Sequence, residues 1–142
     1  MRLWHKDLIQ YLPRQQLLGQ WRECCCIAKS IAEKGTPNHI LVNKIMNYEI
    51  KHFIRYSAHV AWCMVLRGYS VDFHKCGKYF VNEIRFGDTD IHVSDLFPNW
   101  HNDRYLRQCL YNLQEKYDCG GISDEEWLVI ANRFDEEMRF CS

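Results

Sequence analysis

At 142 residues the chain is long enough for one domain that buries roughly two-thirds of the surface its unfolded form would expose, so neither disulfides nor a metal is needed to hold it together. No apolar run approaches the roughly 20 residues of a membrane span, and charges run through MRLWHKDLIQYLP where a secretory leader needs an apolar stretch, so a cytoplasmic protein is expected. The net charge is zero, yet residues 1–71 hold ten Lys or Arg against four Asp or Glu, +6, while residues 72–142 hold eight against fourteen, −6; a basic front half suits a phosphate-bearing partner, and equally an acidic half of the same chain.

In chain order, Met1 to Leu12 has no clean period and ends at Pro13, which suits the first turn of a helix because its missing N–H would be unpaired there anyway. From Leu17 through Leu18, Trp21, Cys24, Cys25, Ala28, Ile31 and Ala32, apolar residues recur at three- and four-residue steps until Gly35-Thr36-Pro37. Asn38 is a candidate cap for a short helix from His39 to Met46, and Asn47 for a long one from Tyr48 to Arg67 that closes at Gly68. Between Tyr69 and His101 the period fades among aromatics, Gly77, Gly87 and Pro98; a short helix near Lys78 to Ile84 and packed loops are expected there. Asn102 or Asp103 caps a helix that ends before Gly120-Gly121. Ser123 and Glu126 form a capping box for a last helix striped by Trp127, Ile130, Ala131, Phe134 and Met138. No segment alternates as a strand. The expected fold is all-α: a single domain over residues 1–142, with four main helices, short helices, long packed loops and no internal repeat.

Phosphate-loop, GxGxxG, HExxH and GxSxG patterns are absent from the sequence, which removes most nucleotide-dependent and hydrolase chemistries. His52 and His59 share a helical face but lack a third ligand at matched spacing, so they read as polar or core histidines and no metal is expected. Of the eight cysteines, Cys24, Cys25 and Cys26 are consecutive and point in different directions on a helix, and none of the others forms a CxxC pair; all read as reduced small hydrophobes. Glu23, beside Arg22 on a helix whose other side is apolar, reads on its own as an exposed residue paired with a nearby cation.

At MRLWH (1–5), LPRQQLLGQWRE (12–23), GTPNH (35–39) and LRGY (66–69) the chain resembles the pyrimidine-dimer DNA glycosylase family, the endonuclease V-like enzymes, and in particular a bacterial branch of it. The resemblance implies a compact helical enzyme, without a cofactor, that cleaves the N-glycosidic bond at a damaged pyrimidine and then nicks the abasic strand. It further implies that the nucleophile is the terminal α-amine, here that of Met1, and that a glutamate of the first helix, here Glu23, assists. Carried over by position, the DNA-binding residues are Arg22, a phosphate and pocket residue, Arg2, which matches a second arginine if one residue is deleted, Gln15 and Gln16, which stand where polar family residues face DNA, and His39, which aligns with a histidine near the active-site end. The implied partner is double-stranded DNA with a damaged base or abasic site, met by a monomer. The chain departs from the pattern in three places: Arg2 follows Met1, so Met1 is expected to stay; Cys26 stands where the family has another arginine; and an acidic DEEMRFCS replaces an aromatic, basic tail. A non-catalytic helical DNA-binding or protein-interaction module is the alternative that composition leaves open.

Overall fold

The computed structural model describes residues 2–34, 39–80 and 90–139. Met1, Gly35-Thr36-Pro37, the Asn38 cap, the expected helix end at Ile84, Gly87 and Cys141 lie outside the described residues. Among the described residues there are seven α-helices and no strand: α1 (Arg14–Lys34), α2 (Ile40–Ile45), α3 (Ile50–Leu66), α4 (His74–Gly77), α5 (Asp103–Asp118), α6 (Asp124–Arg133) and α7 (Asp135–Met138). The fold is all-α as expected, with α1, α3, α5 and α6 as its long members.

Helix α1 begins immediately after Pro13, whose carbonyl accepts the Leu17 N–H at 3.0 Å. Its inner face of Leu17, Trp21, Cys24, Ile27 and Ala28 is buried and packs on α3. Helix α3 is the axis of the core: Phe53, Ile54, Tyr56, Ser57, Val60, Ala61 and Met64 are all buried, which covers more than one of its sides. It closes as the glycine predicts. Gly68 takes φ +87°, and the Gly68 and Tyr69 N–H groups bond the Val65 and Met64 carbonyls at 2.9 and 3.1 Å, satisfying acceptors the helix end would otherwise leave open. Helix α5 ends in the same way at Gly120, φ +85°.

Several boundaries differ from the expectation. The cap of α2 is the His39 side chain, which accepts the Leu41 N–H at 3.2 Å. Helix α3 starts at Ile50 behind Glu49, so Asn47 does not cap it. The helical turns expected from Lys78 begin earlier, as α4 followed by a 3-10 turn over Lys78–Phe80, because Cys76 and Phe80 are the residues buried there. The last helix breaks at Phe134 (φ −112°, ψ 31°), where the ring turns into the core and meets Tyr11 edge-on at 5.6 Å.

Asn102 caps α5 by accepting the Tyr105 N–H at 2.9 Å. At α6, Ser123 Oγ accepts the Glu126 N–H at 3.2 Å and donates to Glu126 Oε1 at 3.1 Å. Glu126 Oε2 accepts the Arg14 N–H at 2.7 Å. The expected capping glutamate therefore serves one of the orphan amides at the start of α1 as well, and fixes where α1 begins relative to α6.

Candidate active site

The segment after residue 1 is where sequence periodicity says least and the structure says most. Leu3, Trp4, His5, Leu8 and Ile9 are buried, so residues 2–5 run through the core as an extended strap whose backbone groups need partners. Side chains supply them. Gln20, on the apolar side of α1 and 1 % exposed, accepts the Trp4 N–H at 2.8 Å and donates to the Arg2 carbonyl at 3.0 Å. The Tyr56 hydroxyl donates to the Trp4 carbonyl at 2.6 Å and lies 3.1 Å from Gln20 Oε1. The Tyr105 hydroxyl donates to the Leu3 carbonyl at 2.6 Å. Burial raises both phenols above their ordinary pKa, so they remain protonated donors. At the outer end of the strap, the Arg2 N–H donates to Glu23 Oε2 at 3.1 Å.

Beneath the strap, His101 Nδ1 accepts the Lys6 N–H at 3.0 Å, and the His5 and His101 rings stack at 5.2 Å. Burial first, then His5, Lys6 and Lys44, push the His101 pKa down to about 2. His5, His52 and His59 shift in the same direction, each mainly through burial. A histidine neutral when folded but protonated when unfolded costs nothing above pH 6.5, its unfolded value. Below that the unfolded state binds the extra proton, and stability falls by about 1.4 kcal/mol per pH unit for a group like His101. Denaturant midpoints measured from about pH 7 to about pH 5 check this slope. His101→Asn, whose amide oxygen can take the Lys6 N–H, is expected to flatten it.

Two grooves open along α1. One, of about 370 Å³, is lined by Arg2, Trp4, Gln16, Gly19, Gln20, Glu23, Asn112 and Lys116. The other, of about 440 Å³, is lined by Arg14, Gln15, Gln16, Leu18 and Arg22. Gln16 belongs to both, so they adjoin. Among the described lining residues, Arg2, Arg14, Arg22 and Lys116 are cationic and Glu23 is the carboxylate.

The sequence-predicted residues are placed as follows. Arg2 and Glu23 share the first groove and touch through the Arg2 amide; the Arg2 guanidinium lies over the Trp4 ring at 5.3 Å and within 3.8 Å of Cys109 Sγ. Arg22 and Gln15 are exposed in the second groove. Gln16 bridges the two, and its Oε1 is buried without a hydrogen-bond partner. His39 is exposed, caps α2, and lines neither groove. Met1 is outside the described residues. Four contributors, Arg14, Gln20, Asn112 and Lys116, are not among the sequence-predicted residues. Arg14 and the α5 pair Asn112 and Lys116 carry polar side chains of the kind any solvated helix face bears, so nothing local marks them. Gln20 did leave a signal: a polar residue between Leu17, Trp21 and Cys24 interrupts an otherwise apolar stripe.

Among the described residues no group of three or more His, Cys, Asp or Glu is arranged to hold a metal ion, and no described helix is long and apolar enough to cross a membrane. Compared with known proteins, the pyrimidine dimer DNA glycosylase family matches residues 1–75, a span that takes in the strap, α1 and α3; Asn112 and Lys116 fall beyond it. No curated protein and no solved structure matches the chain.

Proposed function

Since the chain belongs to the pyrimidine dimer DNA glycosylase family, we propose that it excises a damaged pyrimidine from double-stranded DNA and nicks the resulting abasic strand, with the α-amine of Met1 as nucleophile and Glu23 as its acid–base partner. The observation that carries this reading is the 3.1 Å hydrogen bond from the Arg2 N–H to Glu23 Oε2 in a groove bordered by cations. The α-nitrogen of Met1 is three covalent bonds from that amide nitrogen, so a carboxylate on one is within reach of the other.

An α-amine ionises near 7.7 to 8.0 in model peptides, against about 10.4 for lysine, so a useful fraction is unprotonated at neutral pH. It attacks C1′ of the sugar and the C1′–base bond breaks; the bound amine then loses a proton, the C1′–O4′ bond breaks with O4′ taking up a proton, and the opened sugar is left as an imine at C1′. The imine acidifies the C2′ proton, and its removal drives β-elimination of the 3′ phosphate. Glu23 stabilises the cation that develops at C1′ and moves protons between these steps, which is the work of a positioned carboxylate. No cofactor enters the sequence of steps. Arg14, Arg22 and Lys116 take the phosphates on either side of the opened nucleotide, and Gln15 and Gln16 contact the strand between them. His39 caps α2 and lines neither groove, so it takes no part at the reacting sugar in this reading. The protein acts as a cytoplasmic monomer in this reading.

Incubating the protein with a duplex that carries one abasic site tests the proposal. A nick with a β-elimination 3′ end is the expected product; tight, salt-sensitive binding without a nick would favour a non-catalytic DNA-binding module. Arg22→Ala is expected to weaken binding to duplexes of any sequence and to make the slope of log affinity against log salt shallower by about 0.9, the release of one phosphate's counterions. A titration at several salt concentrations measures it.

A further inference from the structure

The consecutive cysteines of α1 have no part in the repair chemistry, and the fold gives each a different setting. Cys24 is buried, Cys25 is half-buried and Cys26 is exposed, because neighbours on a helix point in different directions. Cys25 faces α4. There Cys76 is fully buried, with its Sγ 4.0 Å from the Cys24 carbonyl oxygen and its thiol within hydrogen-bonding reach of the Cys25 sulfur. The two thiols come from positions 51 residues apart in the sequence and meet between packed helices.

Their electrostatics differ as donor and acceptor should. The hydrogen bond from Cys76 holds the Cys25 thiol below its ordinary pKa, with Lys75 and Lys78 assisting and burial and Asp72 opposing. The same bond, then burial, pushes Cys76 far up. Thiolate character and access are what make a cysteine reactive, and here both belong to Cys25, while Cys76 stays a protonated thiol behind it.

We propose that Cys25 and Cys76 form a hydroperoxide-responsive dithiol, in which Cys25 is oxidised first and Cys76 then closes a disulfide that ties α1 to α4. The Cys25 thiolate attacks one oxygen of the peroxide; the O–O bond breaks, a sulfenic acid forms, and hydroxide or alkoxide leaves. The Cys76 sulfur, losing its proton, attacks the Cys25 sulfur; the S–S bond forms, the S–O bond breaks, and the oxygen departs as water. Two thiols lose two electrons and the peroxide gains them. A dithiol reductant reverses the bridge. The closed form joins two distant chain positions and so raises thermal stability.

The test uses reduced full-length protein in which Cys26, Cys119 and Cys141 are changed to serine, treated with hydrogen peroxide and read by intact mass and peptide mapping. The expected product has lost two hydrogens, carries a cross-link between the Cys25 and Cys76 peptides, melts at a higher temperature, and returns to the starting mass with dithiothreitol. Adding Cys76→Ser should leave a Cys25 sulfenic acid that dimedone captures, whereas adding Cys25→Ser should slow oxidation of Cys76 at least about tenfold. Oxygen addition at Cys25 without a cross-link, a bridge through a different cysteine, or undiminished oxidation of Cys76 in Cys25→Ser would each overturn the assignment. The measurement involves no DNA, so its outcome is independent of the repair reading.

Discussion

Glu23→Gln should slow single-turnover nicking of an abasic-site duplex by about 10²-fold or more, the usual consequence of losing a positioned acid–base group, while leaving DNA affinity nearly unchanged. The substitution is chosen for what it preserves. Glutamine keeps the oxygen that accepts the Arg2 N–H at 3.1 Å, so the strap stays in place, but it loses the charge that opposes a developing cation and the capacity to carry a proton. A rate within a few-fold of the parent protein would reduce Glu23 to an anchor for Arg2 and move the acid–base role elsewhere.

Gln20→Ala should destabilise the fold by about 3 kcal/mol, because it strips the Trp4 N–H, the Arg2 carbonyl and the Tyr56 hydroxyl of a shared buried partner. Those groups lie 2.8, 3.0 and 3.1 Å from the Gln20 amide. In the proposed mechanism the loss falls on catalysis as well, since Gln20 fixes the Arg2 carbonyl and the Trp4 N–H while the Arg2 N–H is the group bonded to Glu23. Urea midpoints give the stability term, and nicking rates under conditions where the variant remains folded give the second. A variant less than about 1 kcal/mol below the parent would mean that the strap finds other partners, water included.

What the sequence made legible is what short-range chemistry decides. Asn102 reaches the amide three residues on, Ser123 does the same at α6, and Gly68 and Gly120 take left-handed turns where L side chains are strained; each is a local bargain between a side chain and its own backbone. The α1 stripe was equally plain, and with it the position of Glu23 and Arg22 on the outer side of that helix. The strap was not legible, because its partners are far away in the chain: Tyr56, His101 and Tyr105 bond residues 3 to 6 across sequence separations of 52, 95 and 102. No periodicity marks a segment whose order is imposed by side chains from α3, α5 and the turn that leads into α5. Glu126 is an intermediate case. Its place in a capping box could be read, but its second oxygen on the Arg14 amide could not. Phe134 went differently because tertiary packing won, its ring turning inward onto Tyr11 and breaking the last helix, whereas His39 caps α2 through a local bond to the amide two residues on.

The proposed mechanism depends on the α-amine of Met1, which Arg2 is expected to leave in place, and so on the identity of the nucleophile. Incubating the protein with abasic-site DNA in the presence of borohydride, then mapping the reduced adduct by peptide mass spectrometry, measures it directly. The expected result is a covalent protein–DNA adduct attached at the α-amine of Met1, lost when a residue is added ahead of it. An adduct on a lysine, an adduct that survives the added residue, or no adduct beside normal nicking would contradict it.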